Sequence, residues 1–168
     1  MAIARLDEIA VPLKKTAAAF RPGTTPPLEA RVKVNVRTRA GGTEELEFVI
    51  DSGAGVTSIP WATAVSWGIP IGTTRVTSSH TTFQGRVAID TWRHQVEIEF
   101  VGLPGKWFVF DCQFPDVTTT VPCILGIGGD VLRHLTIALD GTPQPPHADY
   151  GFARITVVDP AHSLSPSP

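Results

Sequence analysis

The sequence predicts an all-β protein of one domain with one or two short helices. Apolar and polar residues alternate in several segments, which is the period of a half-buried strand. The 168 residues include 15 Gly and 15 Pro, and this many turn-forming residues favours short strands joined by tight turns over a helical bundle. A chain of this length has room for one hydrophobic core.

Five segments carry the strand pattern. In residues 30–37 the valines fall on one face and the polar residues on the other, and Ala40–Thr43 follows as a turn. The other four strand segments are Leu46–Ile50, Val96–Phe100, Lys106–Phe110 and Ala153–Val158. Two short helices are expected, at Trp61–Trp67 after Pro60 and at Asp130–Leu135 with Asp130 as its N-cap.

The two ends of the chain are expected to lie outside the domain, which spans residues 28–159. Residues 1–27 are expected to form a peripheral N-terminal arm, because Pro22, Pro26 and Pro27 disfavour both helix and central strand. Residues 160–168 have the composition of a disordered tail.

Composition excludes several kinds of partner. The 14 Lys+Arg against 16 Asp+Glu give a net charge of -2, so the basic excess typical of a nucleic-acid-binding protein is missing. The sequence contains no run of eighteen apolar residues, so no membrane span is expected.

The start of the sequence lacks the apolar stretch of an export signal, because Arg5, Asp7 and Glu8 interrupt it. This predicts a cytoplasmic protein in which Cys112 and Cys123 are reduced. A bridge between the two cysteines stays open if an export signal precedes this sequence.

No motif predicts a cofactor or a metal. The histidines are scattered and form no His-Glu-x-x-His: His80, His94, His134, His147 and His162. Two cysteines alone do not make a zinc site. The glycines near residue 54 do not start a dinucleotide-binding helix, since Pro60 stops it. Those near residue 127 do not form a phosphate loop, since Asp130 would repel the phosphate.

The most informative segment is the end of the strand at residues 46–50, where Asp51 follows directly. Ser52, Gly53, Ala54 and Gly55 come next. The strand carries the carboxylate to the edge of the core, and the glycines allow a tight turn and a close approach to another chain. Taken alone, this segment favours an ordinary strand that ends in an Asx-type turn.

A second segment changes that interpretation. Val121–Gly126 is an apolar strand that ends in Ile124-Leu125-Gly126 and leads into a short helical pattern. In this order, Asp51-Ser52-Gly53-Ala54 and Ile124-Leu125-Gly126 resemble the signature of the retropepsin-like family of aspartic proteases. The resemblance covers roughly residues 30–158.

This resemblance implies a retropepsin-like closed β-barrel that works as a homodimer, because the chain carries one Asp-Ser/Thr-Gly motif. It implies an aspartic endopeptidase in which Asp51, Ser52 and Gly53 are catalytic and a dyad formed by two copies of Asp51 activates water. Its partners are then a peptide or protein substrate and a second copy of the chain, with no cofactor. Ala153–Val158 is expected to interleave with the second copy, as chain ends often do in this family.

The resemblance also implies a β-hairpin flap over the substrate. Residues 73–90 supply it, with Val76–His80 and Arg86–Asp90 as arms and Thr81–Gly85 as the tip. The residues expected to bind substrate are Ala54, Gly55, Ser79, His80, Thr81, Thr82, Phe83, Gln84, Gly85 and Ile124. The alternative for residues 73–90 is an ordinary surface hairpin.

The chain departs from the family at two positions. Gly55 and Ile127 stand where many retroviral members carry an acid and an arginine that form an ion pair, and Gly128-Gly129 looks like extra length. Two alternatives to a protease stay open. One is a retropepsin-like fold without activity that binds peptides. The other is a β-sandwich or barrel binding domain in which Asp51 only caps a turn.

Overall fold

Ten β-strands and two short helices make up the residues that the structure, a computed structural model, describes: 7–16, 28–82, 85–117, 121–146 and 148–158. The strands are β1 (Glu8–Lys15), β2 (Leu28–Arg37), β3 (Thr43–Asp51), β4 (Thr57–Ser58), β5 (Arg75–Thr82), β6 (Gly85–Phe100), β7 (Trp107–Pro115), β8 (Cys123–Gly126), β9 (Leu135–Asp140) and β10 (Phe152–Val157). The helices are α1 (Trp61–Ser66) and α2 (Gly129–Leu132). The predicted mostly-β fold with short helices is confirmed.

The strands form one sheet in the order β5-β6-β7-β4-β8-β3-β2-β1-β10-β9. β6 has 16 residues, long enough to pair with β5 near its start, with β7 beyond that, and with β2 at its end. The run of pairings from β2 through β3, β8, β4 and β7 to β6 therefore returns to β2. β1, β10 and β9 extend the sheet on one side, and β5 ends it on the other.

The alternation predicted for β2 is present in the structure. Ala30, Val32, Val34 and Val36 are buried, whereas the polar residues between them face outward. On that outer face Arg31 contacts Glu29 and Glu47, and Lys33 contacts Glu45 at 2.7 Å. These exposed ion pairs contribute little to stability, so the apolar face holds β2 in place.

Phenylalanines are the largest side chains that are fully buried in the interior. The rings of Phe108 and Phe110 stack with their centroids 6.0 Å apart, and Phe100 meets both edge-on. Phe48, Phe100, Phe110 and Phe114 are fully inaccessible to solvent. These rings come from β3, β6 and β7, so the cluster ties those three strands to a single core.

The N-terminal segment is not wholly peripheral, which corrects our expectation for residues 1–27. Glu8–Lys15 is β1, which pairs with β10 and β2 and buries Val11 and Leu13 in the core. The physical reason is the alternation of Ile9, Val11 and Leu13 with outward residues, a strand pattern that the neighbouring prolines obscured. Residues 1–6 and 17–27 lie outside the described residues, and the domain boundaries remain a prediction.

The C-terminal part departs from expectation in three ways. The strand predicted at Ala153–Val158 is present as β10, but β1 and β9 pair with its two sides, so it has no free edge to interleave with a second copy. β9 was not predicted. α2 begins at Gly129 and ends at Leu132, and Asp130 accepts a hydrogen bond from the Asp111 N–H at 2.9 Å instead of capping α2 from outside.

Replacing Leu13 by alanine tests whether β1 belongs to the core. Leu13 is 8% exposed, so Leu13→Ala should lower the free energy of unfolding by about 2–4 kcal/mol through lost burial and a cavity. Leu28, in the adjoining part of β2, is 43% exposed, so Leu28→Ala should cost less than about 1 kcal/mol. Urea unfolding of both variants measures the difference. Equal losses would show that β1 does not pack as described.

Candidate active site

Asp51 is the last residue of β3 and lies beside Gly126, the last residue of β8. The two strands run parallel, with Phe48 opposite Cys123 and Asp51 opposite Gly126. Ile124, expected to bind substrate, lies opposite Val49 in the same pair. The structure therefore brings the two segments that carry the family resemblance side by side at one end of two adjacent strands.

The Asp51 carboxylate is held by the turn that follows it. Its Oδ1 accepts a hydrogen bond from the Gly53 N–H at 2.8 Å, and the Ala54 N–H donates to the Asp51 carbonyl at 3.2 Å. Among the described residues nothing bonds to Oδ2, and the Asp51 residue is partly exposed. One carboxylate oxygen is thus fixed by the backbone, and the other is left to bind water or a second group.

The turn leaves little space next to that carboxylate. A methyl group added at Gly53 would lie 3.3 Å from Asp51 Oδ1, which is tight for such a contact. Ser52 and Gly53 are both exposed, whereas Ala54 is partly buried. The surface beside Asp51 is therefore mostly backbone and a small hydroxyl side chain, which allows another chain to approach the carboxylate closely.

Residues 54–56 cross over residues 126–128 at backbone contact. The Ile127 N–H donates to the Ala54 carbonyl at 3.0 Å. A side chain at Gly126 would overlap the backbone of Val56, and one at Gly128 would overlap the carbonyl oxygen of Gly55. Gly128 is therefore required by the crossing, a role that the sequence did not reveal.

Directly after the crossing the chain enters β4, which lies between β7 and β8. Thr57 pairs with Cys112 in parallel register, and Ser58 pairs with Ile124 in antiparallel register. Thr57 is fully buried. The chain that leaves Asp51 therefore passes over β8 and enters the sheet directly, which fixes the turn at residues 52–56 from both sides.

In the part of the chain that the structure describes, no ion pair braces the crossing. At Gly55 and Ile127, where many retroviral members carry opposite charges, the Ile127 N–H bonds to Ala54 and the Gly55 carbonyl lies against Gly128. Backbone contact thus takes the place of the side-chain pair.

The hairpin expected as a flap is formed by β5 and β6. Across it Ser79 pairs with Ala88, His80 with Val87, Thr81 with Arg86, and Thr82 with Gly85. Phe83 and Gln84, which we expected to bind substrate, lie outside the described residues. The part that these hairpin residues play in binding stays a prediction.

The base of the hairpin is anchored by charge and by aromatic rings. Arg75 forms an ion pair with Asp90, which also accepts a hydrogen bond from the Thr77 hydroxyl at 3.2 Å. The hydrogen bond from Arg75 lowers the pKa of the Asp90 carboxyl. Trp92, opposite Arg75 in the ladder, contacts Trp61 of α1 with the ring centroids 5.8 Å apart. The hairpin therefore leaves the body of the protein from a fixed base.

A cavity of about 520 Å³ opens beside the crossing, away from Asp51. Its lining comes from β6, β7, α2 and the residue directly after α2, together with one residue after Gly55: Val56, Arg93, His94, Gln95, Asp111, Cys112, Gln113, Asp130 and Arg133. Of the residues expected to be catalytic or to bind substrate, none lines this cavity.

The described residues offer little other chemistry. Among them no three His, Cys, Asp or Glu side chains are grouped to hold a metal, and no helix is long and apolar enough to span a membrane. Cys112 and Cys123 are free and buried. Burial raises the pKa of the Cys123 thiol to about 11 and that of Cys112 still further, so neither is a ready nucleophile at neutral pH.

No protein-family model matches the chain, and no curated protein matches it. Among solved structures, the chain is similar to the crystal structure of a retropepsin-like aspartic protease from Rickettsia conorii. The two are 14% identical with a TM-score of 0.47, and the match covers 89% of this chain and 92% of that one. At this level the similarity does not bear on the activity of this chain.

The glycines at the crossing provide a matched pair of variants. Gly128→Ala should lower the free energy of unfolding by about 1–3 kcal/mol, because the added methyl group displaces the Gly55 backbone. Gly55→Ala adds the same group where no atom lies within 4 Å, and should leave stability unchanged or slightly raised. Urea unfolding of both variants compares them, and an equally stable Gly128→Ala variant would contradict the crossing.

Proposed function

We propose that the chain is an aspartic endopeptidase that acts as a homodimer, with Asp51 of each copy forming the catalytic dyad. The observation that supports this most directly is the state of the Asp51 carboxylate. It lies at the end of a core strand, with Oδ1 fixed by the Gly53 N–H and Oδ2 unbonded among the described residues. A fixed carboxylate with one accessible oxygen, flanked by small residues, suits general acid–base work on a bound peptide.

The chemistry follows from two carboxylates about 3 Å apart, which cannot both ionise and so share one proton. The ionised carboxylate removes a proton from the water, whose oxygen adds to the carbonyl carbon of the substrate. The protonated carboxylate donates a hydrogen bond to the carbonyl oxygen. The carbon–nitrogen bond then breaks, and the amine leaves with a proton from the dyad. Titration belongs to the pair and not to either residue.

A single chain supplies one such acid, so the proposed reaction needs a second copy. The sequence contains one Asp-Ser-Gly. In a symmetric dimer the two copies of Asp51 meet at the two-fold axis. The closed barrel implied by the family resemblance is supported by β6, which pairs with both β7 and β2.

The substrate would lie extended between the dyad and the hairpin of β5 and β6, paired like an added strand. Ala54, Gly55 and Ile124 would contact it from below, and the hairpin residues 79–85 from above. Arg75 and Asp90 hold the hairpin base. Because the pKa of Asp90 is lowered, its contribution to stability is present above the ordinary carboxyl pKa and is lost only as the pH falls through the lowered value. The base therefore stays paired at mildly acidic pH.

A second candidate function is a peptide-binding module without catalysis. The bond between Asp51 Oδ1 and the Gly53 N–H is also what an ordinary strand end with an Asx-type turn would show. In that case Asp51 shapes the turn, and the hairpin and β8 still offer an extended binding site. Replacement of Asp51 separates the two functions.

Asp51→Asn should abolish peptide cleavage while leaving the fold intact, because an amide neither shares the proton nor activates water. Asp116→Asn, at an exposed carboxylate after β7, is the matched control and should retain full activity. Hydrolysis of a fluorogenic peptide library, with circular dichroism of each variant, measures both effects. Asp51→Asn that still cleaves at the rate of the unmodified protein would disprove the proposed mechanism.

The rate of cleavage should be highest at mildly acidic pH, because the dyad is active only while it holds one proton. Toward alkaline pH the shared proton is lost and the rate should fall. The pH profile of kcat/KM measures this, and circular dichroism across the same range shows that the protein stays folded. An alkaline optimum would be incompatible with a carboxylate dyad.

A further inference from the structure

The cavity of about 520 Å³ beside the crossing has charged residues of both signs in its lining. Two are arginines, Arg93 and Arg133, and two are aspartates, Asp111 and Asp130. Within the part of the chain that the structure describes, none of these four side chains forms an ion pair. The cavity therefore offers both positive and negative groups to a molecule that enters it.

The two arginines differ from most others in the described part of the chain. Carboxylates pair with the arginines at four other positions: Arg31, Arg37, Arg75 and Arg154. Among the arginines whose side chains the structure describes, Arg39, Arg93 and Arg133 have no such partner, and the last two line the same cavity. A guanidinium presents a planar fork of N–H donors that matches a carboxylate. Arg93 and Arg133 can therefore bind a carboxylate that a ligand brings.

The two aspartates provide the opposite charge. Oδ2 of Asp130 accepts a hydrogen bond from the Asp111 N–H at 2.9 Å, which fixes this carboxylate of α2 beside β7. The Asp111 residue is itself exposed. Burial raises the pKa of the Cys112 thiol, and the charges of Asp130 and Asp111 raise it further, so both carboxylates lie near this part of the lining. Together they suit an ammonium group.

The wall of the cavity is built by paired strands. Each cavity residue of β6 lies opposite one of β7: Arg93 and Gln113, His94 and Cys112, and Gln95 and Asp111. Thr57 of β4 pairs with Cys112 from the other side. Gly72 packs against the same wall, since a methyl group added there would lie 2.6 Å from the Arg93 carbonyl oxygen. The wall is preformed, so a ligand can bind without ordering it.

A ligand with charge of one sign does not suit this lining. An anion would meet the two arginines but also two carboxylates, and a cation would meet the same conflict in reverse. We propose that the cavity binds a zwitterionic ligand. Its carboxylate contacts Arg93 and Arg133, and its ammonium group contacts Asp111 and Asp130.

Two kinds of molecule carry this pair of groups, a free amino acid and a short peptide with free ends. The cavity volume of about 520 Å³ lies within the range of small-molecule sites, roughly 300–1,000 Å³. The proposal does not rest on the proposed function, because the residues assigned to catalysis and to substrate binding do not line the cavity.

Isothermal titration calorimetry with three probes tests the proposal. The probes are alanine, trialanine, and trialanine blocked by an N-terminal acetyl and a C-terminal amide group. The Asp51→Asn protein is used, so that cleavage of a probe does not contribute heat. Alanine or trialanine should bind, and which of them binds more tightly identifies the kind of ligand. Blocked trialanine should not bind. Equal binding of the blocked and free peptides, or no binding of either zwitterion up to about 10 mM, would overturn the proposal.

Matched variants show whether the ligand occupies this cavity. In the same Asp51→Asn protein, Arg133→Gln should weaken binding of the zwitterion about tenfold, because charge-assisted hydrogen bonds to its carboxylate are lost. Arg39→Gln removes an exposed arginine outside the cavity and should leave the affinity unchanged. Asp111→Asn should weaken binding as well, and Asp116→Asn is its control. Unchanged affinity in Arg133→Gln would place the ligand elsewhere and contradict the proposal.

Inorganic phosphate tests the simplest competing ligand. It should bind more weakly than the zwitterion, because Asp111 and Asp130 repel it. Phosphate that binds more tightly than either zwitterion, with an affinity that falls in Arg133→Gln, would show an anion site and overturn the proposal. The unmodified protein and Asp51→Asn should bind alanine equally, so this result stays separate from the test of the proposed dyad.

Discussion

The rest of the site depends on the close approach of two backbone segments, residues 54–56 and residues 126–128. Side chains are excluded at Gly126 and Gly128, where any Cβ would overlap Val56 or Gly55. This contact places β4 between β7 and β8 and holds the end of β3 against the end of β8. Asp51 owes its position to that arrangement, since its own hydrogen bond to Gly53 fixes only the direction of the carboxylate. The constraint is steric, so it does not depend on pH or salt.

Much of this could be predicted from local pattern. The period-two alternation of Val32, Val34 and Val36 predicted β2, and the apolar run into Asp51 predicted the end of β3. The pairing of that run with Ile124-Leu125-Gly126 followed from a resemblance of motifs, and the structure places the two segments in parallel register. These features are set by residues that are close in sequence or by a motif with a known spacing.

What could not be predicted depends on distant contacts. The apolar residues of β1 alternate, but charged residues precede this segment and prolines follow it. They become buried because β1 pairs with β10 and with β2. β9 has five uncharged residues and becomes a strand because β10 lies beside it. Gly128 has an ordinary sequence context, and the need for it arises from Gly55, which is far away in the chain. Tertiary contacts in each case decide what local preference leaves open.

The crossing holds its geometry without charge. Gly55 and Ile127 stand where many retroviral members carry an ion pair, and here the Ile127 N–H bonds to the Ala54 carbonyl and the Gly55 carbonyl lies against Gly128. An ion pair weakens when its carboxylate is protonated, whereas backbone hydrogen bonds and steric contact do not titrate in that range. A carboxylate dyad of the kind proposed above works only while it holds one proton, at mildly acidic pH. The crossing would therefore keep Asp51 in place under the conditions that the proposed mechanism needs.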